Sequence, residues 1–201
     1  MQPIPSEIYL PKLKQYEGLL RTWQQKINLV SSSTLPDLWE RHFQDSLQLL
    51  PYIPEEAKSL IDLGSGAGFP GLVLAIALSG KIKVTLIESD LRKCLFLENV
   101  SRETFLDITI VQERIESIKE SMTADVITAR ALAPLPLLLE YALPLMKEDS
   151  TALFLKGESV QKEIGEAQKK WEFDLEFFPS LTDSRASVLK VKHPKRIHPH
   201  D

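Results

Sequence analysis

Apolar positions in the first third of the chain recur at helical spacing. Leu13, Tyr16, Leu20, Trp23 and Ile27 share one face, with lysines, Arg21 and glutamines between them. The pattern stops in the polar stretch 28–33. Thr34 suits the cap of a second helix and Pro36 its first turn. Leu38, Trp39, Phe43, Leu47 and Leu50 then mark one face, while Arg41, Gln44, Asp45 and Gln48 lie on or beside the other. Pro51 and Pro54 end the pattern.

From Lys58 the period changes. Short apolar runs at 60–63, 82–87, 108–111, 124–128 and 152–155 predict strands. Helical patterns at 72–78, 91–104, 115–120, 136–146 and 160–171 alternate with them. Two more strands, 173–178 and 187–191, follow without a helix between them. Alternation of this kind predicts an α/β fold: a doubly wound, Rossmann-like sheet, mostly parallel with an antiparallel last strand, preceded by N-terminal helices. The expected division is a helical appendage at 1–57 packed on the core, a sheet domain at 58–192 and a flexible basic tail at 193–201. Such a sheet binds ligands at the carboxyl ends of its strands, near the topological switch point.

Composition narrows the class. The chain has 201 residues, 43% hydrophobic and 26% charged, which fits one domain with a small appendage and excludes wholesale disorder. The formal net charge of -4 argues against a histone-like binder of nucleic acid but leaves room for one local basic face. A single cysteine, Cys94, excludes an intrachain disulfide and a cysteine-rich zinc module. The absence of a signal pattern or membrane-length apolar run sets the expectation of a soluble, cytoplasmic protein. His193, His198, His200 and Asp201 read as a solvated end rather than a metal site, so no metal is expected.

The strongest local signal is Asp62-Leu63-Gly64-Ser65-Gly66-Ala67-Gly68-Phe69-Pro70-Gly71. It follows the first sheet strand and opens a helix. Glycines permit a sharp turn and close ligand approach, and free amides at the helix start favour electronegative ligand atoms. One reading is the dinucleotide fingerprint Gly66-x-Gly68-x-x-Gly71 with Glu88 further on. The other is Asp-x-Gly-x-Gly-x-Gly from Asp62, the pattern of S-adenosylmethionine enzymes. Asp62 favours the second, because an acid there suits an ammonium group and repels a pyrophosphate. Glu88, ending the second strand, can accept hydrogen bonds from ribose hydroxyls.

The fourth strand ends Thr128-Ala129-Arg130-Ala131, without the Asn/Asp-Pro-Pro-aromatic motif found where exocyclic base amines are methylated. A ring nitrogen such as guanine N7, with its own lone pair, needs positioning more than a base. Arg130 at this strand end, and Lys156 with Gly157 at the next, face the same sheet edge. Arg41 and Asp45 stand four apart and suit an ion pair. His42, beside Trp39 and Phe43, suits a structural role.

Together these residues resemble the bacterial guanine-N7 methyltransferases of small-subunit ribosomal RNA, also called glucose-inhibited division protein B. The resemblance rests on Asn28-Leu29-Val30-Ser31, Arg41-His42-Phe43-Gln44-Asp45-Ser46, the loop from Asp62 to Gly71, Arg130-Ala131 and Leu155-Lys156-Gly157. It implies an S-adenosylmethionine methyltransferase fold and an enzyme using that cofactor on 16S ribosomal RNA, the small ribosomal subunit or its precursor. The expected partners include no metal and no membrane, and the chain is expected to be a monomer. Gly64 and Phe69 would contact the cofactor, with Asp62, Gly66, Gly68 and Glu88. Ile115 and Glu116 would flank its adenine. Arg130 would serve both the cofactor side and catalysis. Arg41, His42, Lys156 and Arg185 are the candidates for RNA contact. Two other functions share much of the pattern: a small-molecule methyltransferase of the same fold, and a nucleotide-sensing protein without catalysis.

Overall fold

The computed structural model describes residues 5–118 and 122–197. Helix α1 spans Ser6–Gln24 and buries Leu13, Tyr16 and Leu20, three members of the anticipated stripe. The second helical region departs from the expectation. A short 3-10 turn, Ser32–Thr34, comes first. A π-helix then occupies Trp39–Gln44 and passes into the three-residue helix α2, Asp45–Leu47. π-turns are rare and recur at functional sites, and hydrophobic spacing alone does not distinguish one from an α-helix.

Seven strands form one sheet in the order β3-β2-β1-β4-β5-β7-β6. They are β1 Ser59–Leu63, β2 Lys83–Ile87, β3 Ile108–Val111, β4 Ala124–Arg130, β5 Met146–Lys156, β6 Trp171–Pro179 and β7 Ser187–Arg196. β1 to β5 pair in parallel, whereas β7 runs antiparallel to both β5 and β6. The order reverses between β1 and β4, and the crevice above that switch point is the expected ligand position. Helices α3 Gly71–Ala77, α4 Leu91–Glu103, α5 Leu135–Ala142 and α6 Val160–Gln168 complete the crossovers.

Two hydrophobic clusters hold the layers. One joins α1, the π-turn and α3 to one sheet face; the other joins α5 and α6 to the opposite face. Every residue of α3 is buried. Each fully buried large aliphatic side chain contributes about 1.5–3 kcal/mol, so α3 anchors the loop preceding it. The N-terminal helices share a core with the sheet rather than forming one of their own.

Several boundaries differ from expectation, among them the helix expected over 160–171, which ends at Gln168 so that Trp171 opens β6. The helix from 136 was expected to reach 146, but α5 ends at Ala142 and a 3-10 turn holds Pro144, which cannot donate the helical bond. β5 begins at Met146, well before the anticipated 152. Its first residues are exposed and polar, and a bulge lies opposite Ala124 and Val126. The expected flexible tail from 193 is strand as far as Arg196: Glu172 pairs with Lys195, Trp171 pairs with Arg196, and His193 bonds Asp174 at 2.7 Å. Ile115–Ser117 is a 3-10 turn; residues 119 and 120 of the helix expected there, and His198, His200 and Asp201, lie outside the described residues.

Candidate active site and adjoining cleft

The glycine loop is built on the end of β1. Gly64 has φ +62, a conformation that selects glycine; an ideal Cβ there would lie 2.6 Å from the end of the Leu132 side chain, which would have to turn aside. Gly66 has φ +57, but its added Cβ would meet only the Gly64 carbonyl, at 3.8 Å. From beneath, the buried Tyr16 hydroxyl of α1 donates to the Ala67 carbonyl. The N-terminal helix therefore braces the loop directly.

Glu88 closes the other side. Its Oε2 accepts from Gly66 N–H at 2.8 Å and its Oε1 from Asp90 N–H at 2.8 Å. The carboxylate is fixed in place, and each oxygen retains acceptor capacity. Around these groups lies a cavity of about 410 Å³. Gly64, Gly66 and Glu88 form part of its wall, and Ile115, Leu132 and Leu137 supply apolar surface. Glu116 also lines it and accepts from the Tyr141 hydroxyl at 2.6 Å. A backbone-lined turn, a fixed carboxylate for hydroxyl groups and an apolar surface for a flat ring fit S-adenosylmethionine.

Five expected contact residues thus line this cavity: Gly64, Gly66, Glu88, Ile115 and Glu116. Four others do not. Asp62 is fully buried, accepting from Thr128 Oγ1 at 2.6 Å, while its Oδ2 has no hydrogen-bond partner. Burial pushes its pKa up to about 6, against the Thr128 and Ser65 hydrogen bonds that lower it. Asp62, expected to meet the ammonium group, has its carboxyl behind the loop rather than on the cavity wall. Gly68, with φ +95, backs onto the Tyr16 hydroxyl and Leu72. Phe69 is buried between the Tyr16, His42 and Phe43 rings. It belongs to the packing that joins the N-terminal helices to the sheet.

Arg130 is the fourth. It lines a second cavity, of about 300 Å³, together with Thr34, Arg41, His42, Asp45 and Lys156. Its guanidinium donates to the Arg41 carbonyl at 3.0 Å, Asp45 Oδ2 at 3.3 Å and His42 Nδ1 at 2.6 Å, and lies 5.0 Å from the Phe69 ring centroid. The π-turn contributes to this arrangement. Asp45 N–H bonds to Glu40, five residues back, rather than to the Arg41 carbonyl four back. The anticipated Arg41–Asp45 pair does not form. Asp45 binds Arg130, while Arg41 reaches Asp183 at 2.7 Å. Asp45 Oδ1 also accepts from Gln48 and Thr182, each at 2.7 Å.

Lys156 is largely enclosed. It donates to the Ala133 carbonyl at 2.8 Å and pairs with Glu163 at 2.5 Å. Glu163 also accepts from Leu135 N–H, at the start of α5. Arg185 lies outside the cavity lining and bonds Asp183. Ala131 is the one residue shared by the two linings, and it holds φ +51.

Sequence reasoning did not single out Ala131, Asp45 or Asp183 as site residues. Asp45 had a signal, since it lies in the Arg41–Ser46 motif. Ala131 stands beside an arginine that drew attention, and only the backbone reveals its positive φ. Asp183 belongs to a loop whose position over the cleft depends on β6 and β7.

Comparison with known proteins places these features in context. The GidB family model, described as rRNA small subunit methyltransferase G, matches residues 9–189. The ribosomal RNA small subunit methyltransferase G of Parvibaculum lavamentivorans is 50% identical over 186 residues, covering 91% of this chain and 82% of that one. Its counterpart from Gluconobacter oxydans is 49% identical, covering 92% and 94%. The crystal structure of a SAM-dependent methyltransferase from Aquifex aeolicus shares the fold at TM-score 0.61 and 14% identity, over 78% of this chain and 92% of that one.

Proposed function

The chain belongs to the rRNA small subunit methyltransferase G family, and on that premise we propose that it methylates N7 of a guanine in small-subunit (16S) ribosomal RNA. S-adenosylmethionine supplies an electrophilic methyl group on a sulfonium centre. The observation that carries the reading is the pair of cavities meeting at Ala131. One has the surfaces for the cofactor; the other is bordered by Arg41, Arg130 and Lys156.

Guanine N7 has a lone pair and no proton, so no side chain must act as base. The residues of the second cavity instead fix the line of attack, a contribution that can reach several kcal/mol. Arg130 has committed three donors to Arg41, Asp45 and His42, and a guanidinium has five. The remainder suit guanine O6, next to the reacting nitrogen. Lys156 and His42 act one step back, shaping the wall. The charged border of the cleft favours RNA over an apolar small substrate. The substrate also sets the compartment: the enzyme works in the cytoplasm.

The test is to map N7-methylguanine in small-subunit RNA from cells with and without the protein, and to follow labelled methyl from donor to isolated subunits. Loss of one modified guanine, restored by the enzyme, is the expected result. An unchanged map with no transfer to subunits would leave the reading without support.

A further inference from the structure

We infer that the carboxylate of Asp183 marks a site for an RNA backbone phosphate, which displaces it from Arg41 and Arg185. The inference rests on RNA being the substrate and deepens that reading.

The cations around the second cleft have internal acidic partners. Lys156 pairs with Glu163 at 2.5 Å, Arg130 with Asp45 at 3.3 Å, Arg41 with Asp183 at 2.7 Å and Arg185 with Asp183 at 3.4 Å. Their exposure separates them. Lys156 and Arg130 side chains are 8% and 17% exposed, whereas Arg41 and Arg185 are 42% and 67% exposed. Opening either enclosed pair would strand a charge away from water. The Asp183 side chain is itself only 17% exposed, but both of its arginine partners reach water, so they can turn to another anion at modest cost.

The geometry suits a phosphate. Two guanidinium groups from different parts of the fold converge on one carboxylate: Arg41 from the π-turn and Arg185 from the 180–186 loop. Guanidinium forks match the oxygens of carboxylate and phosphate alike. The loop does not need the Asp183 charge to keep its shape. Ser180 N–H bonds Ala186, Ala186 N–H bonds the Asp183 carbonyl, and Leu181 N–H bonds Gln48 at 2.8 Å. Arg185 N–H donates to Asp183 Oδ1 at 2.9 Å, a bond that an asparagine oxygen accepts equally well.

The exchange accounts for RNA recognition by a chain of net charge -4. With no RNA present three carboxylates offset all but one of the four cleft cations. An arriving phosphate takes the two arginines and must tolerate Asp183 nearby. That repulsion weakens binding of arbitrary RNA and leaves selection to contacts specific to the target.

The experiment uses a fluorescent twenty-nucleotide oligouridylate, which has no guanine, with anisotropy read across a salt series. D183N is expected to bind about 1.4- to fivefold more tightly, in keeping with loss of an ion pair whose cations are exposed. Its log K against log salt should steepen by about one. Adding R41A and R185A should remove that gain. Equal or weaker binding by D183N, or a gain that survives loss of both arginines, overturns the proposal. If D183N unfolds, R41A/R185A in the native background decides: weaker binding with a shallower salt slope supports the site, and unchanged binding removes it. Methyl transfer to small subunits by the unaltered protein is measured separately. Its failure alongside an intact anisotropy response would sink the guanine reading alone.

Discussion

Nδ1 of His42 lies 2.6 Å from the guanidinium of Arg130. A guanidinium only donates, so that nitrogen accepts and the ring proton belongs on Nε2. Nε2 faces Thr34 Oγ1 at 2.9 Å, and the Thr34 hydroxyl donates in turn to the Ser31 carbonyl at 2.8 Å. Burial, then Arg130 and Arg41, push the His42 pKa down to about 3. Nitrogen-15 NMR should find the neutral Nε2–H tautomer from pH 8 to pH 5. A titration near the ordinary histidine value would mean that Arg130 does not hold this ring.

Acid stability should show two opposing groups. The folded-state pKa of His42 is lowered to about 3, so its contribution is full above about pH 6.5 and is lost as pH falls toward 3. That of Asp62 is raised to about 6, so its contribution is full below about pH 4 and is lost as pH rises through 6. Between pH 4 and 6 the two slopes oppose, each about 1.4 kcal/mol per pH unit at most. Asp62→Asn removes one of them. Urea midpoints of the variant should fall more steeply on acidification from pH 6 to 4 than those of the parent. Parallel curves would show that Asp62 ionises normally inside the fold.

Glu88→Gln preserves shape but replaces an acceptor oxygen by an NH₂ group facing a backbone N–H, since both oxygens are already engaged. Cofactor affinity should drop by roughly 1.5–3 kcal/mol, the scale for hydrogen bonds to a charged group. Calorimetry with S-adenosylmethionine reads this directly. Unaltered affinity would take Glu88 out of the cofactor site, and tight binding of a nicotinamide dinucleotide by the parent would revive the rival fingerprint.

Ala131 tests whether the two cavities communicate. A leucine there places bulk where the linings meet, while the left-handed backbone cost at φ +51, about 1–2 kcal/mol, is already borne by the alanine and is relieved only by glycine. Ala131→Leu should retain much of the cofactor affinity yet lose methyl transfer by more than about tenfold, the scale of misalignment at a reacting centre. Ala131→Gly should transfer normally. Full turnover in the leucine variant would separate the second cavity from the reaction.

The parts legible in sequence were those encoded locally. Alternating apolar runs gave the parallel strands, and the glycines after Leu63 placed the loop. Glu88 followed from its place at a strand end, and Ile115 from the family resemblance. What escaped depended on distant partners. The side chain of Arg130 is directed by Asp45 and His42, more than eighty residues earlier, and the π-turn has no spacing signature of its own. The first part of β5 is polar, exposed and paired beside a bulge, so no apolar alternation announces it.

Arg130 decides between its expected roles. Its three partners tie it to the fold as well as to the site. Arg130→Ala leaves the Asp45 carboxylate and the Arg41 carbonyl short of a donor in a mostly enclosed setting. The cost should be about 1–3 kcal/mol in unfolding free energy, so lost activity in that variant alone is ambiguous. Arg130→Lys is the sharper probe, since it keeps the charge beside Asp45 but lacks the planar fork that serves His42, Arg41 and a ligand together. Below the melting temperature of the variant, kcat on small subunits should fall more than about tenfold if the fork aligns the base. S-adenosylmethionine affinity should hold, because Arg130 lines the second cavity and not the first. The opposite split, weakened cofactor binding with kcat preserved, would return Arg130 to the cofactor side and leave the second cavity without its central donor.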